Sequence, residues 1–181
     1  MNLAKALTIQ GWMTEVELAW LATQAGTRKR IVEIGSWKGR STRALADNLI
    51  SDGMIVAVDT WEGSDEDGHR NELGTHSKGW LFEEFKRNMS GIRSLSLQPL
   101  QMSSLEAAKV LHGALFDMIF IDASHDYENV KADILAWKPL LADGGILCGH
   151  DYQHQPVVDA VTECLPDHKI GAETIWCWET A

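Results

Sequence analysis

Four apolar runs, separated by stretches of helical spacing, leave this chain very few architectures. Arg30–Glu33, Met54–Asp59, Phe116–Asp122 and Ile146–Cys148 are rich in Val and Ile and show no regular alternation of polar and apolar residues. Strands of that kind are covered on both faces, because a half-exposed strand repeats with a period of two. Strand and helix therefore alternate along the chain, which predicts an α/β fold: a mostly parallel sheet with helices on both faces. No repeat, low-complexity tract or linker interrupts the pattern, so residues 1–181 read as one domain.

The remaining elements follow from local signals. Thr14-Glu15-Val16-Glu17 is a capping box that starts a helix running to Gly26. A helix is predicted from Ser41 to about Ile50, followed by a turn at Ser51-Asp52-Gly53, and another over Trp80–Asn88. Strand three is predicted over Ser94–Leu100, a short helix over Ser104–Leu111 capped by Ser103 or Ser104, and a longer one over Tyr127–Leu141. Asp143-Gly144-Gly145 reads as a turn into strand five, with a helix over about Pro156–Cys164 and short strands near His168–Ile170 and Glu173–Cys177 completing the chain. Trp61 to about Gly79 has neither period and is rich in Gly, Asp, Glu and His, including His69 and His76, so it reads as a lid-like loop over the site.

Ligands of such sheets bind beyond the carboxyl ends of the strands, near the point where strand order reverses. Strand one ends in Glu33-Ile34-Gly35-Ser36-Trp37-Lys38-Gly39-Arg40-Ser41, a glycine turn opening into a helix, where residues without a Cβ let backbone approach a ligand. Strand two ends in Asp59, about 20 residues on, where a carboxylate offers two acceptors to the two hydroxyls of a ribose. The glycines stand four apart, unlike the Gly-x-Gly-x-x-Gly of dinucleotide folds, which disfavours a nicotinamide cofactor. Glu33 suits a ligand carrying positive charge. The other strand ends supply Asp122 and Gly149 to Asp151.

Composition narrows the partners. Sixteen basic against twenty-six acidic side chains give a net charge of -10, which disfavours nucleic acid and anionic membranes. No run is long enough to span a bilayer and the N-terminus lacks the pattern of a secretion signal, so a cytoplasmic location is expected. Cys148, Cys164 and Cys177 lack the spacing of a zinc site or disulfide framework. Among eight tryptophans, Trp37, Trp61 and Trp80 fall in or beside the glycine turn and the loop, and as a group suggest a lined pocket.

The chain resembles class I S-adenosylmethionine-dependent methyltransferases over nearly its whole length. Glu33 through Ser41 matches the first motif of that family in the variant of the small metal-dependent O-methyltransferases, of catechol type and of bacterial sugar and natural-product type. The resemblance implies a Rossmann-like sandwich with seven strands, the last antiparallel. It implies S-adenosylmethionine held by Glu33, Gly35, Ser36, Trp37, Gly39, Ser41, Asp59, Thr60, Ser103, Ser104 and Asp122, and Trp37 stands where commoner members have a glycine. Phe116–Asp122 with Ala123-Ser124-His125-Asp126, and Gly144-Gly145 through Gly149-His150-Asp151-Tyr152, resemble the branch in which acids after strands four and five hold a divalent cation. That implies Asp122, His150 and Asp151 as ligands of magnesium or manganese, with His150 in place of the usual oxygen ligand.

In such a site the cation lowers the pKa of the acceptor hydroxyl and His125 takes its proton, with Asp122 and His150 as further catalytic candidates. His125 reads equally as an N-terminal helix residue and Asp126 as a helix cap. Metal-free catalysis with Asp122, His125 or His150 as base, and a donor-binding module without catalysis, remain the alternatives. The acceptor is expected to be a small hydroxylated molecule, and Leu3–Met13 to pack over the donor or against a second subunit of a homo-oligomer.

Overall fold

The computed structural model describes residues 1–63 and 76–180. Residues 64–75 of the lid-like loop, His69 among them, lie outside the described residues. The order of elements is α1 (Glu15–Ala25), β1 (Arg30–Ile34), α2 (Arg40–Ala46), β2 (Met54–Asp59), α3 (Trp80–Asn88), β3 (Leu97–Gln101), α4 (Ser104–Val110), β4 (Phe116–Ile121), α5 (Tyr127–Trp137), β5 (Leu141–Gly149), α6 (Gln155–Cys164), β6 (Lys169–Ala172) and β7 (Ile175–Glu179). Single 3-10 turns occupy Ala6–Thr8 and Lys138–Leu140. No helix of the described residues is long and apolar enough to cross a membrane.

The seven strands form one sheet in the order β3-β2-β1-β4-β5-β7-β6. β7 runs antiparallel to both neighbours, and all other pairings are parallel. The register puts Ile34 beside Val58 and Ile121, and Ile121 beside Gly149. The next residues, Gly35, Asp59, Asp122 and His150, therefore leave the sheet at one level on either side of the point where strand order reverses between β1 and β4.

Alternate residues of the central strands bury opposite faces. Val32, Ile34, Val58, Ile119 and Leu147 pack with Ala107, Val130, Ile134, Trp137 and Val161 of α4, α5 and α6. Ile31, Ile55, Met118, Phe120, Ile146 and Cys148 pack with Leu18, Leu21 and Leu45 of α1 and α2. A third cluster places Ile9, Trp61, Leu81, Phe85 and Met89 around Ala57. Trp61 packs against Phe82 and Phe85 with the rings tilted and centroids 4.5 and 4.8 Å away.

Several boundaries differ from the sequence reading. α2 ends at Ala46, not Ile50. β3 is the Leu97–Gln101 segment, an edge strand whose Gln98 and Pro99 are exposed, so its sequence lacks the apolar run of the buried strands. The α5 helix stops at Trp137 because Pro139 offers no N–H to continue it, and a 3-10 turn carries the chain into the sheet. Asp143-Gly144-Gly145 is not a turn before β5 but an irregularity within it, where pairing shifts from Phe116–Leu141 to Met118–Ile146.

Candidate active site

The cavity at the carboxyl ends of the strands has a volume of about 650 Å3 and is bordered by both halves of the predicted site. On the β1–β2 side it meets Gly35, Ser36, Trp37, Ser41, Asp59 and Thr60, and on the β4–β5 side Asp122, His125, His150 and Asp151. Met102 and Ser104 complete the wall between α4 and the strands. Glu33, Gly39 and Ser103 do not line it.

The reasons are local. Glu33 is fully buried beneath the turn, where its Oε2 accepts from the Ser36 hydroxyl at 2.8 Å and from the Thr42 hydroxyl. Burial raises its pKa to about 7, against the hydroxyls of Ser41, Thr42 and Ser36, which pull it down. Ser103 caps α4 and gives its hydroxyl to Glu106 at 2.6 Å. Ser104 is committed too, donating to the buried Asp133 at 2.5 Å and accepting from Trp137 Nε1 at 2.8 Å.

Both glycines of the turn adopt φ 88°, a left-handed conformation that suits residues without a Cβ. The close approach they permit is to protein. A Cβ on Gly35 would lie 2.0 Å from the Asp122 carbonyl oxygen, and one on Gly39 would lie 2.5 Å from Met89 Cε. Asp59 pins the turn, its Oδ2 accepting from Trp37 N–H at 2.8 Å and its Oδ1 from Trp61 N–H at 2.7 Å.

Of the three tryptophans read as a lining group, only Trp37 borders the cavity. Its companion is Trp12, whose ring centroid lies 5.7 Å away. Trp12 belongs to the N-terminal segment, which folds over the cavity and contributes Gly11 to Thr14. Arg40 fastens that segment, donating from Nε to the Met13 carbonyl at 3.0 Å and from Nη1 to the Ile9 carbonyl at 2.7 Å. Lys38 adds a 2.6 Å bond to Gln10 Oε1.

Ionisable groups crowd the far side. His150 Nδ1 lies 3.5 Å from Asp122 Oδ1 and 3.2 Å from Asp151 Oδ2. Its Nε2 faces Glu17 Oε1 of α1 at 3.2 Å. Burial works to lower the His150 pKa, but hydrogen bonds to Asp122 and Asp151 overcome it and push the value up to about 11. Asp151, held at φ 65°, receives His125 Nε2 at 2.7 Å and Gln153 Nε2 at 2.9 Å. Burial would raise its pKa, yet the His125 and His150 contacts hold it well below the usual carboxylate range. Asp122 is raised, first by burial and then by the charge of Asp151, with His150 opposing. Asp126 caps α5 by accepting from Asn129 N–H at 3.0 Å.

One oxygen each from Asp122 and Asp151 and one nitrogen of His150 lie within 4.8 Å of one another. Two carboxylates and an imidazole are a donor set for a first-row divalent ion, and their mutual distances leave room for one among them. His154, whose ring stacks on His125 with centroids 5.2 Å apart, and Glu17, Gln153, Glu173 and Thr174 also border the cavity. None of these five was assigned to the site from sequence; His154 and Gln153 follow Asp151 so closely that the strand-end rule would have reached them.

This sheet order, its antiparallel last strand and the acids beside the switch point define the class I methyltransferase architecture. A sequence profile described as a methyltransferase domain matches residues 32–152, more than half of the chain, and the chain belongs to that family. Among curated proteins, y4gI of Sinorhizobium fredii, itself uncharacterised, is 26% identical over 143 residues, covering 77% of this chain. The chain spans only 15% of that protein's length. The O-methyltransferase of Bacillus cereus, solved with S-adenosylhomocysteine (SAH), superposes with a TM-score of 0.64 at 18% identity, covering 99% of this chain and 87% of that one. TomG of Streptomyces achromogenes, an O-methyltransferase of tomaymycin synthesis solved with S-adenosylmethionine, gives 0.61 at 16% identity, covering 94% and 82%. The O-methyltransferase NovP gives 0.65 at 18% identity, covering 91% and 79%.

Proposed function

We propose that the chain transfers the methyl group of S-adenosylmethionine to a hydroxyl oxygen of a small molecule, assisted by a divalent cation. The observation that carries this reading is the single cavity joining the Gly35–Gly39 turn and Asp59 to Asp122, His125, His150 and Asp151. On this reading Gly35 to Trp37 would hold the donor, with Asp59 receiving its ribose and Met102 and Ser104 facing its adenine. Asp122, Asp151 and His150 Nδ1 would hold the cation, which would supply Lewis acidity that lowers the pKa of the acceptor hydroxyl. His125, oriented by Asp151, takes the hydroxyl proton as the oxygen attacks the methyl carbon and the sulfonium leaves as a neutral thioether. Trp12 and Trp37 close the cavity from water on the opposite wall.

Calorimetric titration with S-adenosylmethionine, then a screen of hydroxylated acceptors for SAH release, tests the activity. Chelation followed by manganese or magnesium should abolish and restore turnover, and full turnover after exhaustive chelation refutes the metal role. A second reading rests on His150. As a buried cation between Asp122 and Asp151, its ring can balance their charge unaided, leaving His125 as base in a metal-free reaction. Under either reading His125, which borders the cavity beside Asp151, is the proposed base.

A further inference from the structure

We infer that Glu17 is a positioning residue that makes His150 a metal ligand, an inference that rests on the metal-assisted reading above. Glu17 sits in the first turn of α1 and is 2% exposed. One of its oxygens closes the capping box by accepting from Thr14 N–H at 2.9 Å. The other accepts from the Thr174 hydroxyl at 2.5 Å and from Thr174 N–H at 3.2 Å, and lies 3.2 Å from His150 Nε2. Both oxygens accept from backbone N–H groups, the pattern of a carboxylate.

A carboxylate has no proton to give, so the hydrogen between Glu17 and His150 resides on Nε2. The second nitrogen, Nδ1, is thereby aimed between Asp122 and Asp151 with its lone pair available whenever a cation replaces the Nδ1 proton. This is the arrangement in which an outer carboxylate fixes the tautomer and orientation of a ligating histidine. A helix cap needs only the Thr14 bond; Thr174 and His150 lie 157 and 133 residues away and are not required for it. The first helix is thus joined to the end of β5 through one side chain. Glu17 acts through His150.

The test is titration of the intact protein with manganese(II), reading free Mn2+ by electron paramagnetic resonance. Glu17→Gln should weaken Mn2+ binding by roughly 10- to 100-fold, the usual effect of removing an outer-sphere partner. Glu17→Asp keeps a charged capping acid but withdraws it from Nε2, and should show the same loss even if the Gln variant folds poorly. In a His150→Ala background, Glu17→Gln should change Mn2+ affinity no further, because its route to the metal is gone. Wild-type Mn2+ affinity in both folded Glu17 variants overturns the inference alone, as does an equal loss with and without His150. Absence of Mn2+ binding by the wild-type protein overturns the metal reading and this inference with it.

Discussion

The carboxyl of Glu33 ties the stability of the donor turn to pH in a direction opposite to that of an ordinary surface acid. Its pKa moves from an ordinary 4.5 in the unfolded chain to about 7 in the fold. Between those values the folded state keeps a proton that the unfolded state gives up, so stability falls as pH rises through the window. At 1.36 kcal/mol per pH unit the loss is about 3 kcal/mol, complete once Glu33 is ionised in both states above roughly pH 8. Glu33→Gln keeps a carbonyl to accept the Ser36 and Thr42 hydroxyls but removes the charge. Urea unfolding followed by tryptophan fluorescence at intervals from pH 4 to 8 should show the variant gaining about 3 kcal/mol relative to wild type across the range. Asp133, raised to about 6, titrates in both proteins and cancels in the difference. A difference curve flat in pH would show that the buried carboxyl is not what titrates, and would refute the argument.

Other outcomes follow from the same geometry. Asp59→Ala removes the clamp on Trp37 and Trp61 N–H as well as the proposed ribose acceptor, and should weaken SAH binding by roughly 10- to 100-fold in calorimetry, the equivalent of one charged hydrogen bond. His125→Ala should lower kcat by roughly 10²- to 10⁴-fold with SAH affinity unchanged, since His125 faces Asp151 and not the donor turn; a matching loss of SAH affinity would remove it as the base. Gly35→Ala combines a left-handed backbone with a Cβ 2.0 Å from the Asp122 carbonyl, and should cost roughly 4 kcal/mol or more in urea unfolding. Its tolerance would show that β4 can move away from the turn.

The sequence exposes what is encoded locally. Ile31, Val32, Ile55, Val56, Ile119 and Phe120 announce central strands because both faces of the sheet are covered, and acids at their carboxyl ends fall where the register brings them together. The edge strand Leu97–Gln101 is half exposed and gives no such signal. Glu17 is read from sequence only as half of a capping box, because His150 and Thr174 are joined to it by tertiary folding. The turn glycines show the converse: their positions are legible, but their physical role is close packing on Asp122 and Met89, which only the fold displays.

The contact between Gly35 and the Asp122 carbonyl has a consequence for how such an enzyme can change. The residue that would seat the donor and the residue that would seat the acceptor oxygen are locked backbone to backbone, so the line from methyl carbon to nucleophile has almost no slack. New acceptors then have to be accommodated without disturbing that line. The tolerant positions are on the cavity's outer border, where Trp12 is 65% exposed and His154 and Glu173 project from separate segments. Directed evolution toward a different acceptor should collect its substitutions there and leave the strand ends untouched.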